Sequence, residues 1–141
     1  MTRAADPVIE ELTPDECWEL LGDNGVGRLG TAIVDATTGA VSPDIYPMNY
    51  TVNERAILFR SAPGGKLIDL TKQPSVVFQT DGRRRRTYWS VVTHGQATRL
   101  GFDSEIEASG IRDLKATHPT DKWNYFRIDV REITGIRFRG K

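Results

Sequence analysis

The first patterned stretch is "LTPDECWELL", from Leu12 to Leu21, where Cys17, Leu20 and Leu21 share one side of a helical period. Thr13 stands as an N-cap, Pro14 fills the first helical position, and Glu16 completes a capping box. "GDNG" from Gly22 then stops the helix. In "VGRLGTAIV", Leu29, Thr31 and Ile33 alternate against Arg28, Gly30 and Ala32, and that period of two predicts a strand. Its glycines imply that another group packs close to the backbone. After the loop "DATTGAVSPD", "IYPMNYTV" reads as a strand in which Pro47 cannot donate to a ladder. That strand therefore lies at an edge or is bulged near the proline. "NER" turns the chain into the next strand, "AILFRS", and "KLIDLTK" predicts a short helix with Leu67 and Leu70 on one side.

"PSVVFQTD" is strand again, "GRRRR" a polar connection, and "TYWSVVTHGQATRL" the longest strand candidate. "DSEIEASGIRDLKATH" predicts a helix with Ile111 and Leu114 apolar and Gly110 its weak point. "YFRIDVREITGIRFRG" closes with strand alternation at Ile128, Val130 and Ile133. Consecutive strands with a few interrupting helices exclude the regular alternation of a parallel sheet. They predict a mainly β fold with some helix, an antiparallel barrel or sandwich whose ends are plugged by helices. No repeat, low-complexity tract or linker divides residues 1–141, so a single domain is expected.

Composition narrows the partners. The 19 basic and 19 acidic residues cancel, so no global field draws the chain to nucleic acid or to an anionic membrane. The start, "MTRAADPVIEEL", lacks the apolar segment of a signal peptide, and no apolar run approaches the ~20 residues of a membrane span. A cytoplasmic protein is the expectation. The single cysteine, Cys17, excludes an internal disulfide and a cysteine metal cluster.

Candidate chemistry is concentrated in "ILFRSAPGGKL", Ile57 to Leu67. Arg60 and Ser61 end a strand, Gly64 and Gly65 let a ligand approach the backbone, and Lys66 opens a helix. Two cations, a hydroxyl and a helix start can cradle a phosphate. A solvent-facing turn with two surface cations is the alternative, and the spacing is not that of a nucleotide P-loop. In "PMNY", Asn49 and Tyr50 sit in the strand that Pro47 loosens, which leaves backbone groups for a ligand. In "YWSVVTHGQA", Trp89, Val91, Thr93, Gly95 and Ala97 form a core face. Ser90, Val92, His94 and Gln96 form a face too polar for core, turned to solvent, a ligand or another subunit. His94 and His118 stand far apart with no carboxylates arranged around them, which is weak evidence for a metal. The run Arg83–Arg86 reads as a solvated hairpin, or as a guard at the entrance of an anionic ligand site. No nucleophile elbow or carboxylate pair is present, so any hard chemistry would belong to a bound cofactor.

Taken in order, "LTPDECWELLGDNGVGRLGT", "IYPMNYTV", "ILFRSAPGGKL", "PSVVFQTDG", "YWSVVTHGQA" and "ITGIRF" resemble the pyridoxamine 5'-phosphate oxidase-like family, in its small bacterial branch of flavin- or deazaflavin-binding proteins. The resemblance implies a six-stranded antiparallel split β-barrel with short flanking helices, and a homodimer with FMN in grooves between subunits. Carried over by position, Pro47, Met48, Asn49 and Tyr50 would border the isoalloxazine ring, partly through backbone atoms. Arg60, Ser61 and Lys66 would hold the phosphate. Ser90 falls where the oxidase uses a glutamine, and Trp89 would neighbour that site. Gly65 stands where the vitamin-oxidase branch has the first of a basic pair, and "ITGIRFRGK" lacks that branch's substrate-binding segment. The resemblance thus implies an FMN-dependent oxidoreductase of unknown substrate. A deazaflavin coenzyme on the same fold is the second expectation, with the arginine run serving its longer anionic tail. A non-enzymatic flavin or haem binder, with His94 or His118 as axial ligand, is the third.

Overall fold

The computed structural model describes residues 8–62, 67, 70, 72–111 and 124–139. Its elements are β1 (Ile9–Glu11), α1 (Pro14–Asp23), β2 (Val26–Val34), β3 (Val41–Asn49), β4 (Thr51–Asn53), β5 (Ala56–Ser61), β6 (Ser75–Arg84), β7 (Thr87–Arg99), α2 (Asp103–Ser109) and β8 (Asn124–Arg139). The strands form one antiparallel sheet in the order β3-β2-β6-β7-β8-β5-β4, with β1 added to β8. Six strands are long; β1 and β4 have three residues each.

The ends of this sheet are β3 and β4, yet only Tyr50 lies between them in the chain. One residue spans at most ~3.6 Å, so the two edges must meet and the sheet must curl. This is the antiparallel split barrel expected above. Tyr50 fixes the corner three ways. Its N–H donates to the Gly25 carbonyl at 3.1 Å, its hydroxyl donates to the Leu21 carbonyl at 2.5 Å, and its ring meets Phe78 edge-on at 4.9 Å. Leu21 lies in the last turn of α1, whose carbonyls have no partner within the helix, so the phenol caps α1 from inside the barrel.

The inward positions are those that the alternation marked: Leu29 on β2, Phe78 on β6, Val91 on β7, Ile57 and Phe59 on β5, Phe126 and Ile128 on β8. Cys17 and Leu21 of α1 plug one end and are completely buried. The capping box at Thr13 and Glu16 is formed, and Arg137 of β8 ties α1 and β1 together through Glu16 and Glu10. A second cluster, Leu58, Leu100, Ile106 and Ile111, lies under α2 on the other side of β5.

Three expectations are corrected. The "GRRRR" segment is not a loop as far as Arg84: β6 runs through Gly82, Arg83 and Arg84, and only Arg85 and Arg86 turn. The reason is Trp89, whose indole lies over Gly82 and holds the extension in register. The helix "DSEIEASGIRDLKATH" stops at Ser109, because Gly110 takes the left-handed conformation (φ 75°) of a C-cap. Leu114 and most of "KLIDLTK" lie outside the described residues, although Leu67 and Leu70 are both buried. The third is the strand tally, which lacked the three-residue β1 and ran β4 together with β3 in "IYPMNYTV": Tyr50 divides that stretch, and β3 begins at Val41, inside the stretch expected to be a loop.

The close approach inferred for the β2 glycines occurs at Gly27. A Cβ there would stand 2.5 Å from the Phe78 ring, whereas one on Gly25 would meet nothing within 4 Å. Phe78 is fully buried and cannot step aside. Gly27→Ala is therefore expected to cost about 1–3 kcal/mol, the usual range for overpacking. Gly25→Ala should stay within about 0.5 kcal/mol of the parent. Paired urea melts measure both, and equal effects would mean that Phe78 does not set the constraint.

Candidate functional site

Barrel closure brings two of the singled-out segments together. β3 ends at Asn49 and β5 ends at Ser61, and the two strands touch where the edges meet. Strand alternation then sorts their side chains. Tyr46 and Met48 pair with Leu29 and Gly27 and pack on the core, while Ile45, Pro47 and Asn49 are exposed on the outer face. Pro43 and Pro47 have no N–H, so they must occupy the positions that form no ladder bonds to β2. By the two-residue period of an antiparallel ladder, Asn49 has the same setting, and its N–H and C=O point to the open edge. Met48 has the opposite setting, with its backbone engaged by β2. The groups open to a ligand here are thus the backbones of Pro47 and Asn49 and the Asn49 side chain.

Arg60 and Ser61 are adjacent in sequence but lie on opposite faces of β5. Arg60 shares a face with Leu58 and pairs with Tyr125; Ser61 shares the face of Ile57 and Phe59 and pairs with Asn124. Asn124 in turn accepts a hydrogen bond from Arg99 at 2.8 Å. A row Ser61–Asn124–Arg99 therefore crosses β5, β8 and β7 at one end of the barrel. Sequence reading missed Arg99 and Asn124, because only the β8 register links them to Ser61. Lys66 lies outside the described residues, as does His118.

Tyr50 is 2% exposed and Trp89 7% exposed, so both rings lie in the core, Trp89 on the core face expected for its strand. Both are inward because the alternation of their strands puts them there, and both serve packing. Ser90 is outward as expected, with Val92, His94 and Gln96 on the same face, while Trp89, Val91, Thr93, Gly95 and Ala97 are buried. On this face Arg28 binds Asp81 at 2.8 Å and Gln79 at 3.3 Å, and Gln79 reaches Ser90 at 3.4 Å. Three strand spacings, about 14 Å, separate β7 from β3, so one copy of the chain does not bring Ser90 to Asn49. His94 pairs across the sheet with Glu132. Among the described residues, no three His, Cys, Asp or Glu side chains gather where a metal could bind. No helix among them is long and apolar enough to cross a membrane. Burial pushes the Cys17 thiol up, away from reactive thiolate.

A closed antiparallel sheet plugged by a short helix defines a split-barrel protein. The sequence pattern of pyridoxamine 5'-phosphate oxidases matches residues 13–137, and the chain belongs to that family. It is similar to a solved Corynebacterium glutamicum structure described as a candidate pyridoxamine 5'-phosphate oxidase. The identity there is 30%, over 99% of this chain and 98% of that one, with a TM-score of 0.80. A second solved structure, the FAD binding protein of Mycobacterium smegmatis, is 29% identical over 94% of this chain and all of its own, with a TM-score of 0.77. A Mesorhizobium loti FAD-binding protein, 22% identical over 94% of this chain and 98% of its own, shares the fold with a TM-score of 0.78. An uncharacterised Mycobacterium tuberculosis protein is 32% identical over 88 residues, 62% of this chain and 80% of its own.

The Tyr50 corner gives a pH signature. Burial pushes its phenol up to about 12, against a smaller opposing effect of the Thr80 hydroxyl. The folded state therefore holds the proton that the unfolded chain releases near pH 10. The stabilisation is complete below pH 10 and is lost as pH rises towards 12. Two pKa units correspond to about 2–3 kcal/mol. Unfolding free energies across that window should fall steeply for the parent and less steeply for Tyr50→Phe. Parallel slopes would show that the phenol does not ionise with unfolding.

Proposed function

We propose that the chain is a flavin-binding oxidoreductase that works as a homodimer. The observation that carries this reading is the meeting of β3 and β5 at the barrel closure. It sets the open backbone edge at Pro47 and Asn49 beside the strand end that bears Arg60 and Ser61. An edge of backbone donors and acceptors suits the pyrimidine rim of an isoalloxazine, which presents both kinds of group. Cations and a hydroxyl suit a phosphate. The FAD-binding neighbours in the same fold support a flavin, and FMN is the smallest flavin that uses both features. Bound, a flavin supplies two-electron and hydride chemistry that no side chain of the chain provides. The protein's share is to anchor the phosphate through Arg60, Ser61 and Lys66, and to hold the ring rim on Pro47 and Asn49.

Dimerisation completes the groove. The outer face bearing Ser90 and Val92 carries exposed Val26, Ile45 and Ile136, and Ser90 lies too far from Asn49 to act on the same ligand within one copy. A second copy related by a two-fold axis brings the two surfaces together.

Two measurements test these statements. Lys66→Ala removes one charge-assisted hydrogen bond, typically ~1.5–3 kcal/mol, and should weaken FMN about ten-fold to a hundred-fold. Riboflavin, which lacks the phosphate, should bind parent and variant alike. Equal losses for both ligands would remove Lys66 from the phosphate site. In sedimentation, the parent should run at about twice the 15.8 kDa chain mass. Val92→Asp places a charge in the centre of the docking face and should give a monomer that no longer holds FMN. A monomeric parent that binds FMN tightly would overturn the dimer.

A further inference from the structure

The β6–β7 hairpin turns on two residues, Arg85 and Arg86, between the paired Arg84 and Thr87. Arg85 has φ 56°, a left-handed conformation that turns usually fill with Gly, Asn or Asp. Arginine is thus present in spite of the turn. The flanking groups hold the hairpin rigid. Arg84 is bound to Asp23, and Arg83 donates to the Arg85 carbonyl at 2.6 Å while its guanidinium lies over the Tyr88 ring. Tyr88 in turn stacks on Phe138 at 5.4 Å.

Charge is distributed unevenly among the arginines. Arg28, Arg55, Arg84, Arg127 and Arg137 each face a carboxylate, and Arg99 an amide. Arg85, Arg86 and Arg139 have no such partner among the described residues. These three, with Arg84 and Thr87, line an open cavity of about 520 Å³. Three unneutralised guanidinium groups, two on the rigid turn and one at the adjoining end of β8, repel one another until an anion enters, and the planar fork of arginine fits paired phosphate oxygens. Arg55 makes the contrast: it sits in the other two-residue turn with a left-handed backbone, and Asp15 neutralises it.

We propose that this hairpin is a second anion site, and that it takes the diphosphate of a nucleotide. Three cations match the charge of a diphosphate better than that of a single phosphate, and the cavity is of small-ligand size. Arg84, Thr87 and Arg139 are cross-strand partners on the face of Trp89, so the cavity lies on the opposite side of the sheet from Ser90, and the anion site stands independently of the flavin reading.

The test compares the parent with Arg86→Ala/Arg139→Ala, by calorimetric titration of ADP, inorganic pyrophosphate and FMN. Both side chains are exposed, and an unchanged melting temperature checks that the variant folds. ADP and pyrophosphate should bind the parent and lose at least ten-fold in the variant. FMN should bind parent and variant alike, and a loss of FMN equal to that of ADP would overturn a second, separate site. ADP binding that the variant loses, with no binding of FMN to either protein, would refute the flavin reading and leave the anion site standing. ADP and pyrophosphate that bind both proteins equally, or neither, would overturn the site. So would a single-stranded oligonucleotide that binds and responds to the double substitution while ADP does not.

Discussion

Closure of the sheet through Tyr50 is the constraint from which the rest of the structure follows. A sheet of this length has two edges, and an open edge invites pairing with other chains. Here the two edges are joined by a single residue, so neither can drift from the other. The corner residue must have a buried ring to fill the barrel and a polar end to satisfy α1. Tyrosine meets both needs at once, with its hydroxyl on the Leu21 carbonyl and its ring against Phe78. Asn24 continues the same join: its side chain donates to the Thr80 hydroxyl at 2.6 Å and to the Asp81 carbonyl at 2.9 Å. The helix plug, the corner and the centre of the sheet are therefore one hydrogen-bonded unit, and a polar group left unpaired there would cost about 1–3 kcal/mol.

Once the barrel is closed, strand parity decides what each residue can do. Neighbours in sequence are divided between core and outside: Met48 from Asn49, Arg60 from Ser61, Trp89 from Ser90. The large, chemically suggestive side chains of Tyr50 and Trp89 are used for packing. The groups left for a ligand are smaller: a proline-interrupted backbone edge, an asparagine, a serine, and arginines at strand ends. On the flavin reading proposed above, the chemistry would come from the bound cofactor, and the protein's share would be binding and orientation by fixed donors and acceptors.

The parts of this that sequence conveyed are those carried by local rules. The capping box at Thr13 and Glu16, the buried face of "YWSVVTHGQA" and the edge position of β3 all follow from spacing or from a missing N–H. The ends of elements were less legible where tertiary contacts override local preference. Trp89 on Gly82 prolongs β6 into an arginine run that reads as loop, and Gly110 ends a helix whose apolar spacing continues beyond it. The candidate site was legible as segments but not as a constellation. Arg99, Asn124 and Ser61 become neighbours only through the pairing of three strands, and no periodicity within any one of them announces it.

The balanced formal charge of the chain hides an ordered distribution. Acidic residues neutralise arginines where an arginine braces the fold: Asp81 with Arg28 on the outer face, Asp15 with Arg55 at a strained turn, Glu10 and Glu16 with Arg137 between α1 and β8. Exposed pairs of this kind contribute little energy each, about 0–1 kcal/mol, so their value lies in position more than in strength. They offset positive charge where they stand. Where unpaired cations gather at one hairpin, they produce a local field that a uniformly basic surface could not focus. A neutral chain can in this way attract a small anion to one place without gathering polyanions over its whole surface.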